Sequence, residues 1–132
     1  MTKNNGQSLI EVLAALAIVA LVILGIVKAT TVSVKNANYS QGQTKAVSLA
    51  QEKITDVIVL KNAGPQSFFA SPPTPTQELV EGGEYCIKTV VSSDGQTATI
   101  EVYVYWGENG VGSDCSGKQY FHNYHVETNV TN

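Results

Sequence analysis

From Leu9 to Val27 every side chain is apolar except one, Glu11. The run has no polar period, so a helix built from it is hydrophobic on all sides, and at 1.5 Å per residue it spans roughly 28 Å, close to the hydrocarbon thickness of a bilayer. Past Lys28 the pattern becomes amphipathic. Ala46, Ala50, Ile54, Val57 and Lys61 follow helical spacing, and Val47, Ile58 and Leu60 widen the stripe. No proline occurs between Met1 and Asn62. The pattern therefore predicts one helix from about Ser8 to about Leu60, near 80 Å long, stopped by Asn62-Ala63-Gly64-Pro65. Gly25, Gly42 and the β-branched, polar stretch from Thr30 to Ser40 are the places where it could bend or break.

Gly64 to Gly83 reads as a loop, because Pro72-Pro73-Thr74-Pro75 is too proline-dense for regular structure; Phe68 and Phe69 are expected to plug it onto the body. Three strands follow, Tyr85–Ser92, Thr97–Trp106 and Lys118–Thr128. Ser93-Asp94-Gly95-Gln96 forms the hairpin turn between the first two, and Gly107 to Gly117 is a turn-rich loop. In the middle strand Ala98, Ile100, Val102, Val104 and Trp106 share the face expected to pack on the helix, with Thr99, Glu101, Tyr103 and Tyr105 on the other. The fold class is thus α+β, a long N-terminal helix packed on a small antiparallel sheet. Its segments are a leader 1–6, a membrane half 7–28, an amphipathic continuation 29–62, and a loop-and-sheet region 63–132.

Composition narrows the function. The chain has 132 residues, a net charge of −3, and eight basic residues. All are lysines, scattered one at a time, so nucleic acid is not expected as a main ligand. Cys86 and Cys115 both fall in the part placed outside the membrane, where a disulfide persists; a bridge between them would add roughly 3–4 kcal/mol by loop-closure arithmetic. His122 and His125 point to opposite faces of a strand and share no metal between them, and no metal-ligand spacing, nucleophile elbow or phosphate-cradling glycine loop supports a catalytic or cofactor site. No enzyme activity, metal or cofactor is expected. Tyr103, Tyr105, Tyr120 and Tyr124 suggest cross-strand pairing, or an adhesive aromatic surface.

The leader Met1-Thr2-Lys3-Asn4-Asn5-Gly6 is short, with Lys3 its only side-chain charge, which biases it to the cytoplasm. The apolar run is longer than a secretory signal core, and Lys28-Ala29-Thr30-Thr31 offers no A-x-A-like cleavage site. Hydrophobicity alone would suit a plain signal anchor. A plain anchor gains nothing from Glu11, whose charge costs about 2.5–3.5 kcal/mol if it sits deep in the bilayer. Gly6-Gln7-Ser8-Leu9-Ile10-Glu11-Val12-Leu13-Ala14-Ala15-Leu16-Ala17-Ile18 resembles the class III signal of type IV pilins and type II secretion pseudopilins. The resemblance implies a pilin-like fold, and cleavage by a membrane-embedded prepilin peptidase between Gly6 and Gln7 with methylation of the new N-terminus at Gln7. It also implies that Glu11 assists assembly by pairing with a neighbour's N-terminal amine.

Gln7 departs from the phenylalanine, sometimes methionine, most often found first in that family, and it adds a chemical alternative, cyclisation to pyroglutamate. Glu11 to Ile18, and Ala46-Val47-Ser48-Leu49-Ala50-Gln51-Glu52-Lys53-Ile54, are similar to PilV-type minor pilins and the I-type minor pseudopilin. The resemblance implies, as partners, other pilins or pseudopilins in a helical filament, the peptidase, and an assembly platform protein with its ATPase. The precursor would be a single-pass protein of the cytoplasmic (inner) membrane with its leader inside, and the product an extracytoplasmic filament or surface subunit. Type II secretion and DNA uptake use the same scaffold. The alternative from another class is a single-pass anchored binding or adhesion domain that never polymerises.

Overall fold

The computed structural model describes residues 5–107 and 122–132. Cys115, Tyr120, Lys118 and most of the loop expected from Gly107 to Gly117 lie outside the described residues, as does the leader before Asn5. Helix α1 runs from Asn5 to Ala63 without interruption. The stretch from Thr30 to Ser40, a candidate break, stays helical. Thr30 Oγ1 donates to the carbonyls of Ile26 and Val27 at 3.1 and 2.9 Å, and Thr31 Oγ1 to that of Val27 at 2.8 Å. These hydroxyls find their acceptors one turn back, so they do not compete with the helix for outside partners.

Two compact units divide the chain, Met1–Ser40 and Gln41–Asn132. The described part of the first is helix alone, and its side chains from Leu9 onward are exposed. The second is α1 from Gln41 on, a short helix α2 (Pro65–Ala70), and a four-stranded antiparallel sheet in the order β1 (Thr76–Val80), β2 (Tyr85–Ser93), β3 (Thr97–Trp106), β4 (His122–Thr131). The core joins Ala46, Leu49, Ala50 and Val57 of α1 to Ile87 and Val91 of β2 and to Ala98, Ile100, Val102, Val104 and Trp106 of β3. The β3 face is the one expected from its alternation. The helix stripe is the expected one at Ala46, Ala50, Ile54, Val57 and Ile58, with two differences: Leu49 is also buried, and Leu60, expected to widen the stripe, is 57% exposed. Residue 60 shares the helical face of 46, 49, 50, 53 and 57, yet the buried residues of that face end at Val57.

Ala46 and Ala50 are fully buried and small, so α1 lies close on the sheet. At Gly42 the approach is closer still. A Cβ there would stand 2.7 Å from Trp106 Nε1 and 3.0 Å from Cδ1. Gly42 is therefore a packing glycine rather than a weak point in the helix. At Gly25 an added Cβ meets nothing within 4 Å.

The segment from Gly64 to Gly83, expected as a loop, contains a short helix, a strand and a 3-10 turn at Glu81–Gly83. Gly64-Pro65 stops α1 and also starts α2, since proline at the first helical position lacks only an amide that has no intrahelical partner. Ser67 Oγ donates to the Gly64 carbonyl at 2.9 Å. Helix α2 buries Phe68 and Phe69 edge to face with centroids 5.5 Å apart, so the packing expected of them holds although the backbone is helical. Lys61, in the last turn of α1, lies over the Phe69 ring at 5.9 Å.

Strand β1 begins directly after Pro75, pairs only with β2, and is exposed along most of its length, so it carries no alternating pattern to read. An ion pair between Lys53 of α1 and Glu78 of β1 pins this edge to the helix. The hydrogen bond to Glu78 is the main reason that Lys53 holds its proton above the ordinary lysine range.

The hairpin turn between β2 and β3 is as expected. Asp94 Oδ1 accepts from the amides of Gln96 at 2.9 Å and Thr97 at 2.6 Å, and Gly95 takes φ +93°. The amides of Thr97 and Gln96, in that order, lower the Asp94 pKa. Strand β4 pairs with the whole of β3, from Trp106↔His122 to Thr97↔Thr131, ending three residues beyond the expected Thr128. Thr99 Oγ1 donates to Asn129 Oδ1 at 2.8 Å near that end.

Gly42→Ala is expected to destabilise the Gln41–Asn132 unit by about 1–3 kcal/mol through the clash with Trp106, exceeding the gain in helix propensity of roughly 1 kcal/mol. Gly25→Ala is expected to leave that unit unchanged. Urea unfolding followed by Trp106 fluorescence measures both.

Candidate functional site

The functional residues expected from sequence, Gly6, Gln7 and Glu11, stand in the first two turns of α1. No proline interrupts the chain between them and the apolar run, and α1 is continuous through both. From Leu9 to Val27 the large aliphatic side chains are each between 53% and 70% exposed. The helix is long and apolar enough to cross a membrane, and none of its most apolar stretch is buried within the protein. This excludes a core helix of an ordinary globular domain, which would be covered by its own chain. Glu11 is the one ionisable group on this surface from Leu9 to Val27. A carboxylate surrounded by aliphatic groups is costly when lipid or another apolar helix excludes water, and the cost falls only if a cation meets it. The arrangement can therefore do one kind of chemistry, the pairing of a carboxylate with a cation supplied from outside this helix.

The comparison with known proteins decides what the segment is. Residues 1–27 match the family described as the prokaryotic N-terminal methylation motif. The chain carries a type IV pilin-like prepilin signal. The match covers about a fifth of the chain and includes Gly6, Gln7 and Glu11. No curated protein and no solved structure matches the chain. The motif supports a pilin-like structural subunit rather than an enzyme. It implies processing by prepilin peptidase and assembly with other pilins in a filament, and it suits a membrane-anchored precursor.

The remaining candidates lie on the sheet. Cys86 is fully buried on the face away from α1, against Tyr105. No free cysteine occurs among the described residues, and Cys115 lies outside them. His122 and His125 fall on opposite faces of β4, as their spacing requires: His122 tilts over Trp106 with centroids 5.6 Å apart, and His125 is exposed. The tyrosines do not form one surface. Tyr124 packs against the core, whereas Tyr103 and Tyr105 stack on the outer face at 6.4 Å. Tyr103 also stacks on His125 at 4.3 Å across the strands. Its phenol pKa is raised, first by partial desolvation and then by the charges of Glu101, Tyr105 and Glu127.

The charges of Glu101 and Glu127 belong to a group that sequence reasoning missed. Glu101, His125 and Glu127 stand together, with one ligand atom from each within 4.8 Å of the others. Sequence spacing compared the two histidines with each other. The β3–β4 register, which brings Glu101 opposite Glu127, has no local signal in the sequence.

Because the sheet unit has its own core, a fragment from Gln41 to Asn132 is expected to remain soluble without detergent and to unfold cooperatively, whereas the full chain requires detergent or lipid. Size-exclusion chromatography and thermal circular dichroism on both check this. Aggregation of the fragment would show that the unit depends on the first forty residues.

Proposed function

We propose that this chain is a minor pilin or pseudopilin, a structural subunit of a type IV filament made as a membrane-anchored precursor. Prepilin peptidase cuts it after Gly6 on the cytoplasmic side and methylates Gln7, and Glu11 then guides it out of the membrane into the filament. The observation that carries this reading is the conjunction of a fully exposed apolar helix with a single carboxylate near its start, one turn beyond Gln7. Lipid tails and neighbouring apolar helices are about equally hydrophobic, so hydrophobicity alone gives little drive for a helix to leave lipid for a bundle. A charge pair gives both drive and register. Cleavage after Gly6 makes an amine at Gln7, four residues from Glu11 and at nearly the same depth. Copies lying side by side then pair the amine of one with the carboxylate of the next, where poor solvation strengthens the attraction. The small residues Ala14, Ala15, Ala17 and Gly25 allow the close approach that such a bundle needs.

Outside the membrane, Cys86 and Cys115 form a disulfide that ties β2 to the segment before β4. The full burial of Cys86 and the lack of a free cysteine among the described residues support it.

Co-expression with an active prepilin peptidase, followed by intact mass and N-terminal peptide mapping, is expected to show loss of Met1–Gly6 and one added methyl on Gln7. A retained leader would overturn the proposal in favour of an anchored domain that does not polymerise. Glu11→Ala is expected to be inserted and cleaved normally but recovered in the membrane rather than in sheared filaments. Filament incorporation equal to the parent chain would remove Glu11 from assembly. Reduction is expected to lower the stability of the Gln41–Asn132 unit by roughly 3–4 kcal/mol, measured as a denaturation midpoint with and without reductant.

A further inference from the structure

The outer face of the sheet carries a charge arrangement that the fold does not require. Glu101 on β3 lies directly opposite Glu127 on β4. Like charges in directly opposed cross-strand positions repel, and the pair gains nothing from packing to offset this, since Glu127 is exposed and Glu101 half-buried. No ion pair to either carboxylate forms among the described residues. Lys88 on β2 directs its ammonium over the Tyr103 ring, at 6.0 Å from the centroid.

His125, two residues before Glu127 on the same face of β4, completes the cluster. Its imidazole is stacked on Tyr103 with planes 14° apart, which limits its rotation. Among His125, Glu101 and Glu127, one ligand atom from each already lies within 4.8 Å of the others. Ligands on a single tetrahedral ion with bonds of about 2.1 Å stand roughly 3.4 Å apart, a distance that small rotations of two surface glutamates reach.

We propose that Glu101, His125 and Glu127 form a binding site for a divalent transition-metal ion, with zinc as the type case. One imidazole nitrogen and two carboxylate oxygens suit a borderline ion of this kind; calcium and magnesium prefer more oxygens and no imidazole. Two negative charges neutralise a dication, so binding removes the cross-strand repulsion. Three protein ligands leave a fourth position open to water or to a donor from another molecule, which makes the site a means of bridging this face to a partner. The inference does not depend on the filament reading, because the cluster belongs to the sheet unit and would exist in an unassembled subunit.

Calorimetric titration of the full chain in detergent with Zn²⁺, after removal of metal by chelation, tests it. The expected result is saturable binding of one ion per chain, weakened about tenfold or more in each of Glu101→Gln, His125→Gln and Glu127→Gln, since losing a ligand costs at least what losing an orienting partner does. Excess Ca²⁺ is expected not to displace it. Circular dichroism on each variant separates loss of the site from loss of the fold, and Co²⁺ used as a second probe should give visible d–d absorption that the same variants abolish. Absence of saturable Zn²⁺ binding, binding of equal strength in the three variants, or displacement by an equal concentration of Ca²⁺ would overturn the proposal.

Discussion

The large aliphatic side chains of α1 from Leu9 to Val27 are exposed on every side of the helix. Exposing such side chains to water costs about 25 cal/mol for each Å² of apolar surface, so the segment is stable only where lipid or other apolar helices cover it. This requirement orders the rest of the molecule. A segment that must be covered from outside cannot also be the core of its own domain, so the chain builds its core elsewhere, from Ala46 onward. One helix thus serves two solvents. The change between them is visible in its composition: aliphatic on all sides as far as Val27, β-branched and polar from Thr30 to Ser40, then a stripe one face wide.

The sheet unit follows from that stripe. A single helix face over a four-stranded sheet makes a thin core, and its stability depends on how closely the two layers approach. Alanine at 46 and 50, and glycine at 42 beneath Trp106, set the separation. Large residues are supplied from the sheet side, by Ile87, Ile100 and Trp106, and from α2, by Phe68 and Phe69. Ser93 Oγ, donating to the Phe69 carbonyl at 3.0 Å, ties α2 to the hairpin, and the Lys53–Glu78 ion pair ties β1 to α1. Both links join edges of the core that hydrophobic burial alone leaves loosely held.

Much of this was legible in the sequence because it is written in periodicity. The continuity of α1, the alternation of β3 and the Asp94-Gly95 turn each have a local signature, and each was read correctly. What escaped reading lacks one. Strand β1 is an exposed edge with no buried face, so its residues do not alternate, and its identity comes only from pairing with β2. Helix α2 is too short to show a period and begins at the same glycine and proline that end α1. Leu60 lies on the helical face of Ala46, Leu49 and Val57 but is exposed, because periodicity gives the direction of a face and not how far along the helix the sheet covers it. The N-terminal signal is legible for a different reason: the spacing of Gly6, Gln7 and Glu11 resembles a recognition signal, and the methylation motif matches residues 1–27, which contain all three.

Glu11 and the Glu101–Glu127 pair pose one physical problem in two settings. A carboxylate is retained in an unfavourable position only where something offsets its cost, and in neither place does the described chain contain that cation. For Glu11 the neighbouring side chains are apolar, and under the proposed function the counter-charge is the amine of a neighbouring copy, whose attraction is strengthened by poor solvation. For Glu101 and Glu127 the surroundings are aqueous and a single opposite charge would be screened, so a multivalent ion held by three ligands is the more effective counter-charge. Under the proposed function, the first arrangement directs the helix toward copies of its own kind. The second leaves the outer face of the sheet, the part of the subunit farthest from that apolar requirement in chemistry, able to engage something else.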